Sequence, residues 1–217
     1  MPLGEYLAFA IPDVAKCRDA AEKLRAAHPD ASAEHIARQA IAHAKNWAMT
    51  SGAATGVFSS PLTMIPAALA DMSAMLRIEG ALAGTIAALL DPRSLDDPLA
   101  FEADVLTILF PAAISQALRQ VGVRVAQVLT RQMIRKHLVE GLFESAARIA
   151  GKRLMMGAGE RALTKAVPIV GAGIGAGWNW VEIHAVGARA IRYYQTGELL
   201  EGTLKRFFGR FLPRREG

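Results

Sequence analysis

Apolar residues recur at the three- and four-residue spacing of helices along most of this chain, and the polar/apolar alternation of strands is nearly absent. Pro12 and Asp13 open a first predicted helix, which the His-Pro-Asp segment at residues 28–30 stops. Ser32 is the expected N-cap of a second helix that continues to Trp47. The pattern therefore predicts an all-α fold.

The middle of the chain predicts a longer helix. Residues 50–66 are rich in Gly, Ser, Thr and Pro and form either a connection or a broken helix. A long helix starts near Ala67, and its charged residues are few. We expect such a helix to be buried on most sides.

Residues 91–98 form the clearest predicted loop of the chain, because they combine Pro with several Asp residues. Asp96 or Asp97 is the expected cap of the next helix. That helix covers residues 99–120 and should kink at Pro111, which lies inside an apolar run.

The second half of the chain is basic. Arginines and lysines recur through an amphipathic segment at residues 121–142 and continue to Lys165, after which Pro168 opens a glycine-rich helix. No shift in composition marks a domain boundary. We predict one domain over residues 1–203, a multi-helix bundle with a long buried central helix and a glycine-rich helix, followed by a tail over residues 204–217.

Two uncharged stretches raise the question of a membrane span. Residues 46–70 contain no Asp, Glu, Lys or Arg, and they are long enough to supply the roughly 20 apolar positions of a spanning helix. Their Ser and Thr side chains, together with Pro61 and Pro66, would leave many polar groups in lipid. Residues 166–181 are shorter and favour a buried or re-entrant helix. We therefore expect no span.

Composition narrows the class of protein. The 217 residues are 52% hydrophobic and 6% aromatic, so Ala, Leu and Gly carry an apolar fraction that favours helices in close contact. The single cysteine, Cys17, excludes an internal disulfide and suits a reducing interior, such as a bacterial cytoplasm. Residues 1–16 lack the basic start of a signal peptide, so we expect a cytoplasmic protein. The net charge of +5 accompanies a mean hydropathy of +0.23.

No arrangement of residue types predicts a catalytic or metal site. The histidines do not have zinc-site spacing, and no Gly-x-Ser-x-Gly nucleophile motif occurs. We expect no enzyme activity and no cofactor. One enzymatic alternative, a hydrolase assembled from distant residues, would need a cleft that gathers Asp71, Asp97, Glu182 and His184.

The glycine-rich helix carries two interlocked pairs of glycines four residues apart. Part of this run satisfies the dinucleotide-binding fingerprint, but the βαβ context of that motif is missing. Because each interior glycine costs about 1 kcal/mol of helix propensity, we expect close contact with another helix of the same fold or, alternatively, with a partner protein or lipid. These helix-packing glycines are Gly171, Gly173, Gly175 and Gly177.

The C-terminal tail combines basic and aromatic residues, a composition typical of a segment that lies on an anionic bilayer. The alternative is a terminal helix that docks its Phe face onto the core. Nucleic-acid binding is the weakest interpretation, because the basic residues are dispersed and no recognised module occurs. The candidate membrane-contact residues are Lys205, Arg206, Phe207, Phe208, Arg210, Phe211, Arg214 and Arg215.

Two blocks of sequence resemble the EcsC family of bacterial proteins. The first comprises residues 45–57 (KNWAMTSGAATGV) and 66–78, which begins PAALAD and ends LRI; the second comprises residues 165–179 (KAVPIVGAGIGAGWN) and 187–190 (GARA). The family takes its name from an accessory gene beside an ABC transporter, and its biochemical activity is unassigned. The resemblance implies a mainly helical bacterial protein in a membrane-linked context, and it supplies no catalytic residues.

Two functional hypotheses follow. The first is a non-enzymatic cytoplasmic protein at the inner face of the cell membrane, which associates peripherally with an anionic membrane surface or with an integral membrane protein. Its contacts would be the tail and the glycine-rich helix. The second is a carrier of a lipid or another hydrophobic ligand, in which Ala, Gly and Met leave a cavity between helices.

Overall fold

The computed structural model describes residues 10–55, 61–120, 122, 128–137, 149 and 168–200. Within these ranges the chain is helical apart from two short strands, which confirms the all-α prediction. The helices are α1 (Val14–Ala27), α2 (Ala33–Thr55), α3 (Pro61–Leu90), α4 (Pro98–Leu109), α5 (Pro111–Gln120), α6 (Arg131–His137) and α7 (Pro168–Thr196).

Polar caps begin the helices where the sequence predicts them. The Asp13 carboxylate accepts hydrogen bonds from the backbone N–H groups of Ala15 and Lys16, at 2.8 and 3.2 Å. The Ser32 hydroxyl accepts a hydrogen bond from the backbone N–H of His35 at 3.2 Å. The Asp97 carboxylate caps α4 by accepting from the backbone N–H of Ala100 at 3.1 Å. These side chains satisfy N–H groups that have no partner inside a helix. The predicted roles of Ser32 and Asp97 are confirmed.

Two predicted boundaries need correction. The helix α2 extends to Thr55 and α3 begins at Pro61, not near Ala67, so of the two alternatives for residues 50–66 a broken helix describes residues 50–55 and 61–66 better than a connection. Proline is well tolerated in a first helical turn, which explains a helix that starts at Pro61. At Pro111 the chain bends by 108° and forms two separate helices, α4 and α5, instead of one kinked helix.

Helices α2, α3 and α7 form the centre of the bundle. The α2 and α7 helices run antiparallel, because Gln195 near the end of α7 hydrogen-bonds Glu34 at the start of α2, at 3.0 Å. The α1 helix packs on the C-terminal part of α3. There the guanidinium of Arg25 donates to the carbonyl oxygens of Ala88 and Leu89, both at 3.0 Å, and satisfies groups that the helix end leaves open.

Close packing in this bundle depends on glycines that the sequence did not single out. A Cβ on Gly84 would meet Cys17 Sγ and come within 2.9 Å of Pro12 Cγ, and a Cβ on Gly187 would come within 2.6 Å of Ile41 Cδ1. These glycines let α1 approach α3 and let α2 approach α7.

The predicted helix-packing glycines lie in the first turns of α7. Gly177 is exposed, and a Cβ built there meets no described atom within 4 Å. The surroundings of Gly171, Gly173 and Gly175 lie outside the described side chains. Their packing role stays a prediction.

A small antiparallel ribbon joins α6 to the end of α7, although the sequence shows almost no strand signal. It consists of β1 (Val128–Thr130) and β2 (Glu198–Leu200). Gly197, with φ at +70°, ends α7 in the left-handed conformation that glycine adopts readily. Its carbonyl accepts from the Arg131 N–H at 2.8 Å, so the ribbon fixes where α6 begins.

The long helix α3 is the one described helix with a segment long and apolar enough to cross a membrane. That segment is Met72–Leu90, and 67% of it is buried inside the protein. A core helix passes the same test. Helices α4 and α5 pass only when they are counted together across their bend.

Candidate functional site

The uncharged parts of three helices lie at one end of the bundle. Helices α2 and α3 are separated by only five residues, so the end of α2 and the start of α3 are neighbours. The start of α7 joins them, because Asn179 donates to the Ala48 carbonyl at 3.4 Å. We call this region the uncharged end. It comprises residues 46–55, 61–70 and 168–181, which contain no Asp, Glu, Lys or Arg.

Counted from the uncharged end, the first charged residue of each of the three helices lies at a similar distance along the bundle axis. Lys45 precedes the last residue of α2 by ten positions, and Asp71 follows the first residue of α3 by ten. On α7 the first charge is Glu182, two residues beyond the Trp180 side chain that contacts Lys45. Ten helical residues rise about 15 Å, which is half of the roughly 30 Å hydrocarbon core of a bilayer.

All three tryptophans of the chain, at positions 47, 178 and 180, belong to the uncharged end. The described side chains of Trp47 and Trp180 are 72% and 40% exposed. Large aromatic side chains in water are costly for a folded protein, whereas Trp is enriched where a protein meets the headgroup level of a bilayer. The exposure therefore indicates a contact surface.

Lys45, Trp180 and His184 form a stack at the border of the uncharged end. The Lys45 Nζ lies 4.1 Å from the Trp180 ring centroid. The Trp180 and His184 rings are stacked, with centroids 6.0 Å apart. Burial lowers the pKa of Lys45. Burial and the positive charges of Lys45 and Arg38 lower the pKa of His184, so the imidazole is neutral at pH 7.

The opposite end of the bundle holds a buried polar cluster around Asp104 of α4. The Asp104 carboxylate, which is fully buried, accepts from Arg131 Nη2 at 2.6 Å, from Arg135 Nη2 at 2.8 Å and from the Tyr193 hydroxyl at 2.7 Å. Arg131 also pairs with Asp91 at 2.5 Å. The Asp104 cluster thus ties together α4, α6, α7 and the end of α3.

Hydrogen bonds and charge keep Arg131 of this cluster protonated. Burial alone would lower the pKa of Arg131, but the hydrogen bonds and charge of Asp104 outweigh burial and raise it. Burial, together with the Asp104 charge, raises the pKa of Tyr193 and of its neighbour Tyr194. The Tyr194 hydroxyl has no hydrogen-bond partner among the described residues. Both phenols are neutral over the physiological pH range.

An open cleft of about 900 Å³ lies over the Asp104 cluster, lined by polar side chains that include Arg131, Arg135, Lys136 and Glu198. Two of its three cations already pair with carboxylates. The lipid-carrier alternative stays a prediction. The described residues contain no group of three His, Cys, Asp or Glu side chains placed to hold a metal ion.

Two residues of the hydrolase alternative, Asp97 and His184, have separate surroundings. Asp97 caps α4, and His184 stacks on Trp180. The Asp71 side chain lies outside the described side chains. The tail residues from Lys205 to Arg215 also lie outside the described residues, so their membrane contact stays a prediction.

Sequence reasoning missed the two features that stand out. It interpreted Arg131 and Arg135 as part of a basic amphipathic surface, whereas Asp91 and Asp104 neutralise them. The signal was Asp104 inside the apolar run of α4, because a buried carboxylate needs a cationic or hydrogen-bonding partner. It also treated the two uncharged stretches separately, and the fold brings them together.

The fold and the uncharged end define a class: an all-α bundle with an uncharged, tryptophan-bearing end and a buried polar cluster at the other end. Comparison with protein-family models, curated proteins and solved structures gives no match for this chain. The resemblance to the EcsC family stays a prediction.

Proposed function

We propose that this protein is a non-enzymatic peripheral membrane protein that inserts its uncharged end into one leaflet of a bilayer. The observation that carries the proposal is the meeting of three uncharged helix ends at one end of the bundle, with Trp47 and Trp180 exposed there. The EcsC resemblance, with its membrane-linked context, points the same way.

The dimensions favour insertion no deeper than one leaflet. Most of the Ser and Thr residues that argue against a full span lie in helices, where a hydroxyl group can bond to a carbonyl oxygen of the preceding turn. Ten uncharged residues on α2 and ten on α3 extend about 15 Å beyond the first charged side chains, the half-thickness of a hydrocarbon core. At that depth Lys45, Asp71 and Glu182 reach the headgroup level, where charged groups are hydrated. Deeper insertion would carry these charges into lipid at several kcal/mol each.

The rest of the bundle favours a peripheral position. The apolar segment Met72–Leu90 is mostly buried against other helices. The Asp104 cluster lies at the opposite end and supplies polar groups unsuited to a hydrocarbon environment. The basic, Phe-rich tail at residues 204–217 would add electrostatic attraction to an anionic surface.

Intrinsic fluorescence tests the proposal directly, because every tryptophan of the chain lies in the uncharged end. The full chain is mixed with vesicles of phosphatidylglycerol and phosphatidylcholine, and the emission maximum is recorded. We expect a blue shift and quenching by lipids brominated on the acyl chain. Without any binding or quenching, insertion of this end is wrong.

A pair of exposed apolar residues provides the matched control. Trp47 on α2 is 72% exposed and Leu99 on α4 is 65% exposed. Since burying one large apolar side chain is worth about 1.5–3 kcal/mol, Trp47→Ala should weaken vesicle binding by about tenfold or more, and Leu99→Ala should leave it unchanged. Equal effects would contradict the assignment. Binding only to vesicles that contain native membrane proteins would instead indicate an integral membrane partner.

A further inference from the structure

We propose that Lys45 is a binding site for the phosphate group of a membrane lipid, held in position by Trp180. This inference rests on the proposed membrane insertion and adds a specific headgroup contact to it. It starts from the position of Lys45, which is the last charged residue of α2 before the uncharged end.

The ammonium group of Lys45 has three hydrogen-bond donors and a defined orientation. Among the described residues it has no ion-pair or hydrogen-bond partner, and it lies over the ring of Trp180, 4.1 Å from the ring centroid. By contrast, Lys23 pairs with Asp19 at 2.7 Å and Arg38 pairs with Glu34 at 2.6 Å. Lys45 is therefore the cation beside the uncharged end that is still open to an anion.

The Trp180 ring orients the Lys45 ammonium group. A cation over the face of an aromatic ring is held by the ring quadrupole, which reduces the side-chain entropy that Lys45 would lose on binding.

The height of Lys45 selects the lipid phosphate. With ten helical residues below it, Lys45 lies about 15 Å above the end of α2, which matches the boundary between the hydrocarbon core and the headgroups. Trp180 is amphipathic and 40% exposed, as expected for a side chain at that boundary. The phosphodiester group of a lipid lies at the same depth in the leaflet, so it can bind the Lys45 ammonium group without moving out of the bilayer.

The experiment compares Lys45→Met with Lys23→Met. Both variants remove one lysine charge, but Lys23 lies on α1, which packs near Ala88 of α3. Ala88 is 17 residues beyond Asp71, or about 25 Å, which exceeds the screening length of about 8 Å at physiological salt. Partition coefficients are measured on phosphatidylglycerol/phosphatidylcholine vesicles.

We expect Lys45→Met to lower the partition coefficient at least fivefold, roughly the weight of one basic residue at an anionic surface. Lys23→Met should change it less than twofold, and Lys45→Arg should restore binding because arginine keeps the charge and also stacks on aromatic rings. A Lys45→Met variant that binds like the unmodified protein would overturn the site. So would equal losses in both methionine variants, since these would indicate long-range charge alone.

Two further readings separate this inference from the proposed function. If the unmodified chain binds vesicles and its tryptophans are quenched, but Lys45→Met has no effect, insertion stands and the phosphate site fails. If the unmodified chain does not bind, both fail. Inorganic phosphate alone, without vesicles, should leave the tryptophan emission unchanged. A saturable change with phosphate would show a site for the free anion and overturn the assignment to a lipid.

Discussion

The substitution Asp104→Asn tests the role of the buried polar cluster. Asp104 is fully buried and holds Arg131 and Arg135 at 2.6 and 2.8 Å. Removing one partner of a buried ion pair costs about 3–5 kcal/mol. We expect the lower end, about 3 kcal/mol by the same comparison, because an asparagine oxygen still accepts one hydrogen bond and Arg131 keeps Asp91. For a chain of this size each kcal/mol shifts the Tm by about 2–4 °C, so the Tm should fall by about 6–12 °C.

The assays are thermal melting and urea unfolding of the full chain, both followed by circular dichroism, with Asp96→Asn as the control. The Arg18–Asp96 pair has a similar distance of 2.7 Å, but its side chains are 44% and 66% exposed. Exposed pairs contribute about 0–1 kcal/mol. Comparable losses of unfolding free energy in the two variants would refute the reasoning, because burial of the Asp104 pair would then have no energetic consequence.

Three other predictions concern packing, pH and reactivity. Gly84→Ala should cost about 1–3 kcal/mol through overpacking, whereas Gly177→Ala, which meets open space, should gain up to about 1 kcal/mol of helix propensity; equal shifts in urea midpoint would contradict this. The pKa of His184 is lowered on folding, so the unfolded chain binds a proton first and stability falls as the pH drops below 6.5; His184→Gln should weaken this fall between pH 7.5 and 5.5, and an unchanged pH profile would count against it. Burial raises the pKa of Cys17 to about 12, so a thiol reagent at pH 8 should react with the folded chain only as fast as it unfolds.

Local sequence signals predicted the helices well. Helix caps depend on side chains a few residues from the groups they satisfy, which is why Ser32 and Asp97 were identifiable. The break at Pro111 was also local, although its angle was not. The direction of the chain after a proline depends on where the next apolar face can be buried, and that information lies in distant residues.

The candidate site was less predictable, because it depends on distant parts of the chain. Lys45 and Trp180 are 135 positions apart in sequence, and only the antiparallel packing of α2 and α7 brings them together. The same holds for the Asp104 carboxylate and the Tyr193 hydroxyl, which are 2.7 Å apart. Taken one at a time in the sequence, these residues look like ordinary surface or core residues, so neither contact was predictable.

The distribution of polar groups suggests why the two ends of the bundle differ. Ala- and Gly-rich helix faces specify their register weakly, because small side chains interlock little and several alignments bury similar areas. The Asp104 cluster supplies directional contacts that link α3, α4, α6 and α7 at the end opposite the tryptophans. With the register set there, the uncharged end needs no ion pairs of its own. Under the proposed function, this would leave the uncharged helix ends available to lipid while the rest of the bundle keeps its packing.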